Sequence, residues 1–133
     1  MGQSRAPDGV LAGARVLIVE DDAIIVLDLE AVFMDAGAVV IGPCRTVKAA
    51  LTTLESERCD AAILDLRLGR DDAGPIARML DRQGTPFLFY TGQSASDPLL
   101  KEWEGHAVVG KPAQSRILVA AVADLLRPPA VRS

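Results

Sequence analysis

Histidine, tryptophan and tyrosine occur once each in this chain of 133 residues, phenylalanine three times and cysteine twice. Cys44 and Cys59 stand apart and belong to no metal-spaced group, which argues against a zinc site. Two thiols in a chain without a basic-then-apolar leader point to reduced cysteines in a cytoplasmic protein. No apolar run approaches the ~20 residues of a membrane helix, so no membrane association is expected. Net charge is −4 and the basic residues do not cluster, which argues against nucleic acid as a partner. What is left is the balance of one globular domain, 50% hydrophobic and 24% charged, long enough for a real core.

The abundant feature is short aliphatic runs. Residues 15–20 (RVLIVE) have no polar alternation, the pattern of a strand buried on both faces of a parallel sheet. The run leads straight into Glu20, Asp21 and Asp22. Ile25, Leu29, Val32 and Phe33 then recur at helical spacing over 22–36, and Gly37 can close that helix in the left-handed conformation. Residues 1–14 carry no periodicity and are expected to be a loose lead-in. A second strand is read at 38–42, stopped by Gly42-Pro43. A helix follows to about residue 57, capped by Thr46 and buried through Val47, Ala50, Leu51 and Leu54. Residues 59–65 (CDAAILD) form a third strand that also ends on a carboxylate.

Residues 66–73 read as a polar loop. A helix then starts at Gly74-Pro75, with Ile76, Met79 and Leu80 inward. Strand four is 86–91 (PFLFYT), a short helix follows Asp97-Pro98 to about 104, and a brief fifth strand is 107–109. The last helix spans 113–126, with Ile117, Leu118, Ala121, Val122, Leu125 and Leu126 as its buried face. Trp103 reads as packing, and His106 as a loop residue. Five βα repeats predict an α/β, flavodoxin-like (βα)5 fold, a doubly wound five-stranded parallel sheet of order 2-1-3-4-5. In that order strands one and three are neighbours, so Asp21 and Asp65 converge at the carboxyl edge where such sheets bind ligands. Carboxylates packed together repel one another and call for a cation, and oxygen donors without Cys or His favour Mg²⁺ or Ca²⁺.

Four features fall on that edge in order: Glu20-Asp21, Asp65, Thr91-Gly92 and Lys111-Pro112. Together they resemble the receiver domain of two-component response regulators over about residues 15–126. The resemblance implies that Asp65 accepts a phosphoryl group from a sensor histidine kinase or a histidine phosphotransfer protein. It implies a Mg²⁺ ion bound by the side chains of Asp21 and Asp65 and the backbone carbonyl of Arg67, with Glu20 acting largely through water. Lys111 and Thr91 would hold phosphoryl oxygens, and the Lys111-Pro112 peptide would be cis. Asp22 reads as a helix cap rather than a ligand.

The sequence departs from the family in two places. Leu68-Gly69 stands where a Met-Pro pair is usual, and Asp71-Asp72-Ala73-Gly74 lengthens that loop by a residue. Val108 occupies the position three before the lysine, where an aromatic ring normally serves as the switch. Tyr90 cannot be assumed to replace it, because it should face the other side of its strand from Thr91. Phe89-Tyr90-Thr91-Gly92 also resembles part of a motif in a stress-signalling receiver subgroup, and Gln93-Ser94 breaks the rest of it. Residues 127–133 are too short for an output domain, so a stand-alone receiver working by contact with a downstream protein, or by phosphorelay, is expected. Rival readings are a phospho-aspartate hydrolase, which needs an acid where Arg67 stands, and a nucleotide- or flavin-binding module, which needs a glycine-rich loop where the carboxylates stand.

Overall fold

The computed structural model describes residues 9–92 and 96–127. Its elements in chain order are β1 (Arg15–Val19), α1 (Ala23–Asp35), β2 (Val39–Cys44), α2 (Val47–Ser56), β3 (Ala61–Leu64), β4 (Arg67–Leu68), β5 (Asp71–Asp72), α3 (Gly74–Arg82), β6 (Phe87–Thr91), α4 (Pro98–Glu102), β7 (Ala107–Gly110) and α5 (Ser115–Leu126). The main sheet is parallel with order β2-β1-β3-β6-β7, the expected doubly wound flavodoxin-like topology with the small β4–β5 hairpin set aside.

Alternation along the strands sorts the core into two layers. Leu17, Val19, Ala62, Leu64, Phe87 and Phe89 pack with Ala50 and Leu54 of α2, Ile76, Ala77 and Leu80 of α3, and Leu99 of α4. Val16, Ile18, Ala61, Ile63, Leu88 and Tyr90 face the other way, onto Leu29 and Phe33 of α1 and Leu118 and Val122 of α5. Both faces are covered, which is why β1, β3 and β6 read as unbroken apolar runs.

Caps set the helix ends as the side chains dictate. Asp22 accepts from the N–H groups of Ile24 (2.9 Å) and Ile25 (3.2 Å), and Thr46 from that of Ala49 (3.1 Å). Gly37 lies at φ 94°, the conformation that terminates α1.

Several boundaries differ from the sequence reading. Gly42-Pro43 does not stop β2. The strand runs on to Cys44 through an irregularity in its pairing with β1, and Gly42 sits at φ 87° where a Cβ would lie 2.8 Å from the Cys44 nitrogen. The stretch read as a polar loop after β3 is an antiparallel hairpin, Arg67↔Asp72 and Leu68↔Asp71, rooted by the buried Leu66, Leu68 and Ala73. Ile117 is exposed rather than buried, since α5 turns only Leu118 and Val122 fully inward. The lead-in is fastened from Leu11 onward. That side chain is buried in the α1–α5 layer, and its N–H bonds the Ala36 carbonyl at 3.0 Å. The expected loose residues 1–8 and the tail beyond Arg127 lie outside the described residues.

Candidate functional site

Three strands deliver the acids and the lysine of the site. β1 ends at Val19 and hands on Glu20 and Asp21, β3 ends at Leu64 and hands on Asp65, and β7 leads into Lys111. Because β1 and β3 are paired in register, Val19 opposite Leu64, the acids that follow them are brought side by side. The Asp65 N–H bonds the Val19 carbonyl at 3.0 Å and the Glu20 N–H bonds the Cys44 carbonyl at 3.0 Å, so both backbones are locked at the sheet edge. Glu20, Asp21 and Asp65 each present an oxygen within 4.8 Å of the others.

Glu20 is 1% exposed, far less than a carboxylate usually tolerates. Burial pushes its pKa up, against the lowering effect of the Lys111 ammonium and the Asp22 N–H, while the Asp65 charge adds to the rise. Its Oε1 is buried and, apart from the Lys111 ammonium 2.8 Å away, has no hydrogen-bonding partner. Lys111 also reaches Asp65 Oδ2 at 3.1 Å. Burial alone would lower the lysine pKa, but the two carboxylates outweigh it and hold it above its ordinary value. Asp21 is more open, and its Oδ2 accepts the Gly69 N–H of the β4–β5 turn at 2.8 Å.

Lys111 is well braced. Its N–H bonds the Thr91 carbonyl at 2.9 Å, its ammonium lies 5.5 Å from the Tyr90 ring centre, and the Lys111–Pro112 peptide is cis. Thr91 is buried at the end of β6, with Gly92 beside it. Tyr90 points to the opposite face, as the strand period requires, and its hydroxyl accepts the Ala113 N–H at 3.3 Å. Val108 is 49% exposed on the edge strand β7.

Arg67 follows Asp65 by two residues, and its N–H makes a long bond of 3.4 Å to Asp65 Oδ1. Its guanidinium turns away to Asp97, at 2.8 Å, with Asp72 at 3.9 Å. Asp97 is the partner that sequence reasoning missed as part of this neighbourhood. The Asp-Pro pair announced a helix cap, but nothing in it announced burial beside Arg67. Trp103 and His106 belong to an aromatic cluster with Phe87, at 5.4 and 4.8 Å between ring centres; His106 lies in the loop before β7, as expected, and its ring is packed there. Cys44 and Cys59 are buried free thiols, and burial pushes the Cys59 pKa up to about 11.

The donor set is all oxygen, on three acids that repel one another, with the buried Glu20 Oε1 met only by the Lys111 ammonium among the described residues. That chemistry fits a hard divalent cation such as Mg²⁺ and does not fit zinc.

A doubly wound sheet with an acid cluster and a lysine at its carboxyl edge defines a class, and the comparisons name it. The family model of the response regulator receiver domain matches residues 16–123, and the chain belongs to that family. Among solved structures, the response regulator PhyR from Brucella abortus is 24% identical with a TM-score of 0.74, over 86% of this chain and 48% of that one. The receiver domain of PhyR from Erythrobacter litoralis is 24% identical with a TM-score of 0.75, over 92% and 100% of the two chains. A response regulator receiver protein from Sinorhizobium medicae is 26% identical with a TM-score of 0.75, over 87% and 96%. The chain thus spans under half the length of the Brucella protein, and the likeness to the two PhyR structures is one of fold. No curated protein matches the sequence. Among the described residues no helix is long and apolar enough to cross a membrane.

Proposed function

We propose that this receiver domain, residues 15–126, works in the cytoplasm as a phosphorylation switch with Asp65 as its acceptor. The donor would be a sensor histidine kinase or a histidine phosphotransfer protein, and the output a protein–protein contact or a further relay. The observation that carries the reading is the convergence of Glu20, Asp21 and Asp65 within 4.8 Å, with the Lys111 ammonium against two of them.

The residues divide the work. One Asp65 oxygen attacks phosphorus, an acyl phosphate forms, and the bond from phosphorus to the donor's imidazole nitrogen breaks. A bound Mg²⁺, held by Asp21, Asp65, the Arg67 carbonyl and indirectly Glu20, would supply positive charge for the transferring group. Lys111 lies against Asp65 and is positioned to bind a phosphoryl oxygen as a compact cation. Thr91 would offer its hydroxyl to another oxygen, and Gly92 leaves the approach open, with nothing among the described residues within 4 Å of where a Cβ would stand. Exposed Ile24 and Leu27 in the first turns of α1, the helix that begins just after the acids, favour a protein partner at this end.

The hydrolase reading loses ground because the side chain at the place of a second acid, Arg67, is a cation, paired with Asp97. Incubation with acetyl phosphate and Mg²⁺ followed by intact-mass analysis tests the proposal. One phosphoryl adduct is expected, absent without Mg²⁺ and absent in Asp65→Asn; an adduct that survives in Asp65→Asn rules it out.

A further inference from the structure

Asp97 is a buried carboxylate, its side chain 6% exposed, at the start of α4. Its Oδ2 takes a hydrogen bond from Arg67 at 2.8 Å and its Oδ1 takes one from the Leu99 N–H at 2.9 Å. Arg67 and Asp97 thus stand as an ion pair, with the carboxylate also capping the first turn of α4. The Arg67 side chain is 43% exposed and so has room to move, and its own N–H is already on Asp65 Oδ1. Arg67 therefore links the two regions, its backbone N–H on Asp65 and its guanidinium on Asp97, which in turn caps the first turn of α4. That helix is short, five residues, and is seated by Leu99 with Trp103, which caps its end, packed on Phe87. Val108, with no ring to move, leaves the output side without the usual relay.

We infer that the Arg67–Asp97 ion pair is a latch on α4, opened when Asp65 is phosphorylated. The inference rests on the proposed phosphorylation. A phosphoryl group two residues from Arg67 presents several oxygens and close to two negative charges, which a guanidinium binds in bidentate fashion better than a single carboxylate oxygen. As Arg67 turns to it, Asp97 is left buried with the Leu99 N–H as the one remaining partner of its side chain among the described residues. An unpaired buried charge is strongly disfavoured, so the start of α4 must shift to let Asp97 reach water. The two arrangements differ in which anion holds Arg67, and that differential contact is what lets phosphorylation bias them. Trp103, the chain's single tryptophan, sits at the far end of α4 and reports the outcome.

The test uses the full chain with Mg²⁺ and beryllofluoride as the phosphoryl stand-in. Fluorine NMR reads formation of the adduct, and Trp103 emission reads α4. The wild-type protein is expected to form the adduct with a change in Trp103 emission. In Asp97→Asn the adduct should still form, the emission should already be displaced before beryllofluoride is added, and most of the further change should be lost; Asp97→Glu should restore it. Amide exchange at Leu99 in the wild-type chain, which needs no variant, should speed up with beryllofluoride. A wild-type-sized emission change in Asp97→Asn overturns the latch, as does an adduct that leaves both Trp103 and Leu99 unaltered. Failure of the wild-type chain to form any adduct would instead overturn the phosphorylation reading, and the latch with it.

Discussion

β3 and β7 each lead directly into a charged residue of the site, yet they are built in opposite ways. β3 lies between β1 and β6 with all four residues buried, and Asp65 inherits that rigidity. β7 is the edge strand, mostly exposed, and Lys111 is held instead by bonds made after the strand, to the Thr91 carbonyl and the two carboxylates. The anionic half of the site is thus fixed by the core, whereas the cation is placed by its own electrostatics. Under the proposed function, that asymmetry would hold the Asp65 acceptor still while the groups around it respond.

Substitutions should expose the difference. Ile63→Ala, in the middle of β3, should destabilise the fold by about 2–5 kcal/mol in urea unfolding, because the cavity it opens lies in a fully packed layer. Lys111→Met comes next, at about 1–3 kcal/mol, since it strands the Glu20 carboxylate without a counter-charge. That deficit should shrink in acid. Glu20 titrates above its ordinary value in the folded state, so its contribution to stability is complete below the unfolded value and is lost as pH rises through the folded one. Losing the ammonium, whose bond opposes that rise, widens the window, so the unfolding curves of variant and wild type should lie apart at neutral pH and converge as the pH falls.

Asp21→Ala should change stability without Mg²⁺ by no more than about 1 kcal/mol, because loss of the Gly69 bond is offset by relief of repulsion among the acids. Thermal melts should show its stabilisation by Mg²⁺ gone. The smallest effect is expected at Val108→Ala on the edge strand, within about 0.5 kcal/mol. A loss there as large as that of Ile63→Ala would erase the contrast between the two strands.

Much of this was legible beforehand because strands buried on both faces announce themselves as apolar runs. The strand order followed from the βα alternation, and the order alone placed Asp21 beside Asp65. The parts that escaped have a physical explanation. Two-residue strands such as Arg67–Leu68 and Asp71–Asp72 are too short to show a period, and a turn-rich composition hid them. Leu11 anchors the lead-in as a single residue, with no pattern around it. The Arg67–Asp97 pair joins positions 30 apart that only the folded sheet edge brings together. Ile117 satisfied a helical face that α5, lying over Leu88 and Tyr90, does not need in full.

The most direct test of the account is to find where the phosphoryl group goes. After treatment with acetyl phosphate and Mg²⁺, borohydride reduction converts an aspartyl phosphate to homoserine, and peptide mass spectrometry locates it. The account predicts homoserine at position 65 alone; a modification at Asp21 or His106, with Asp65 intact, would contradict it.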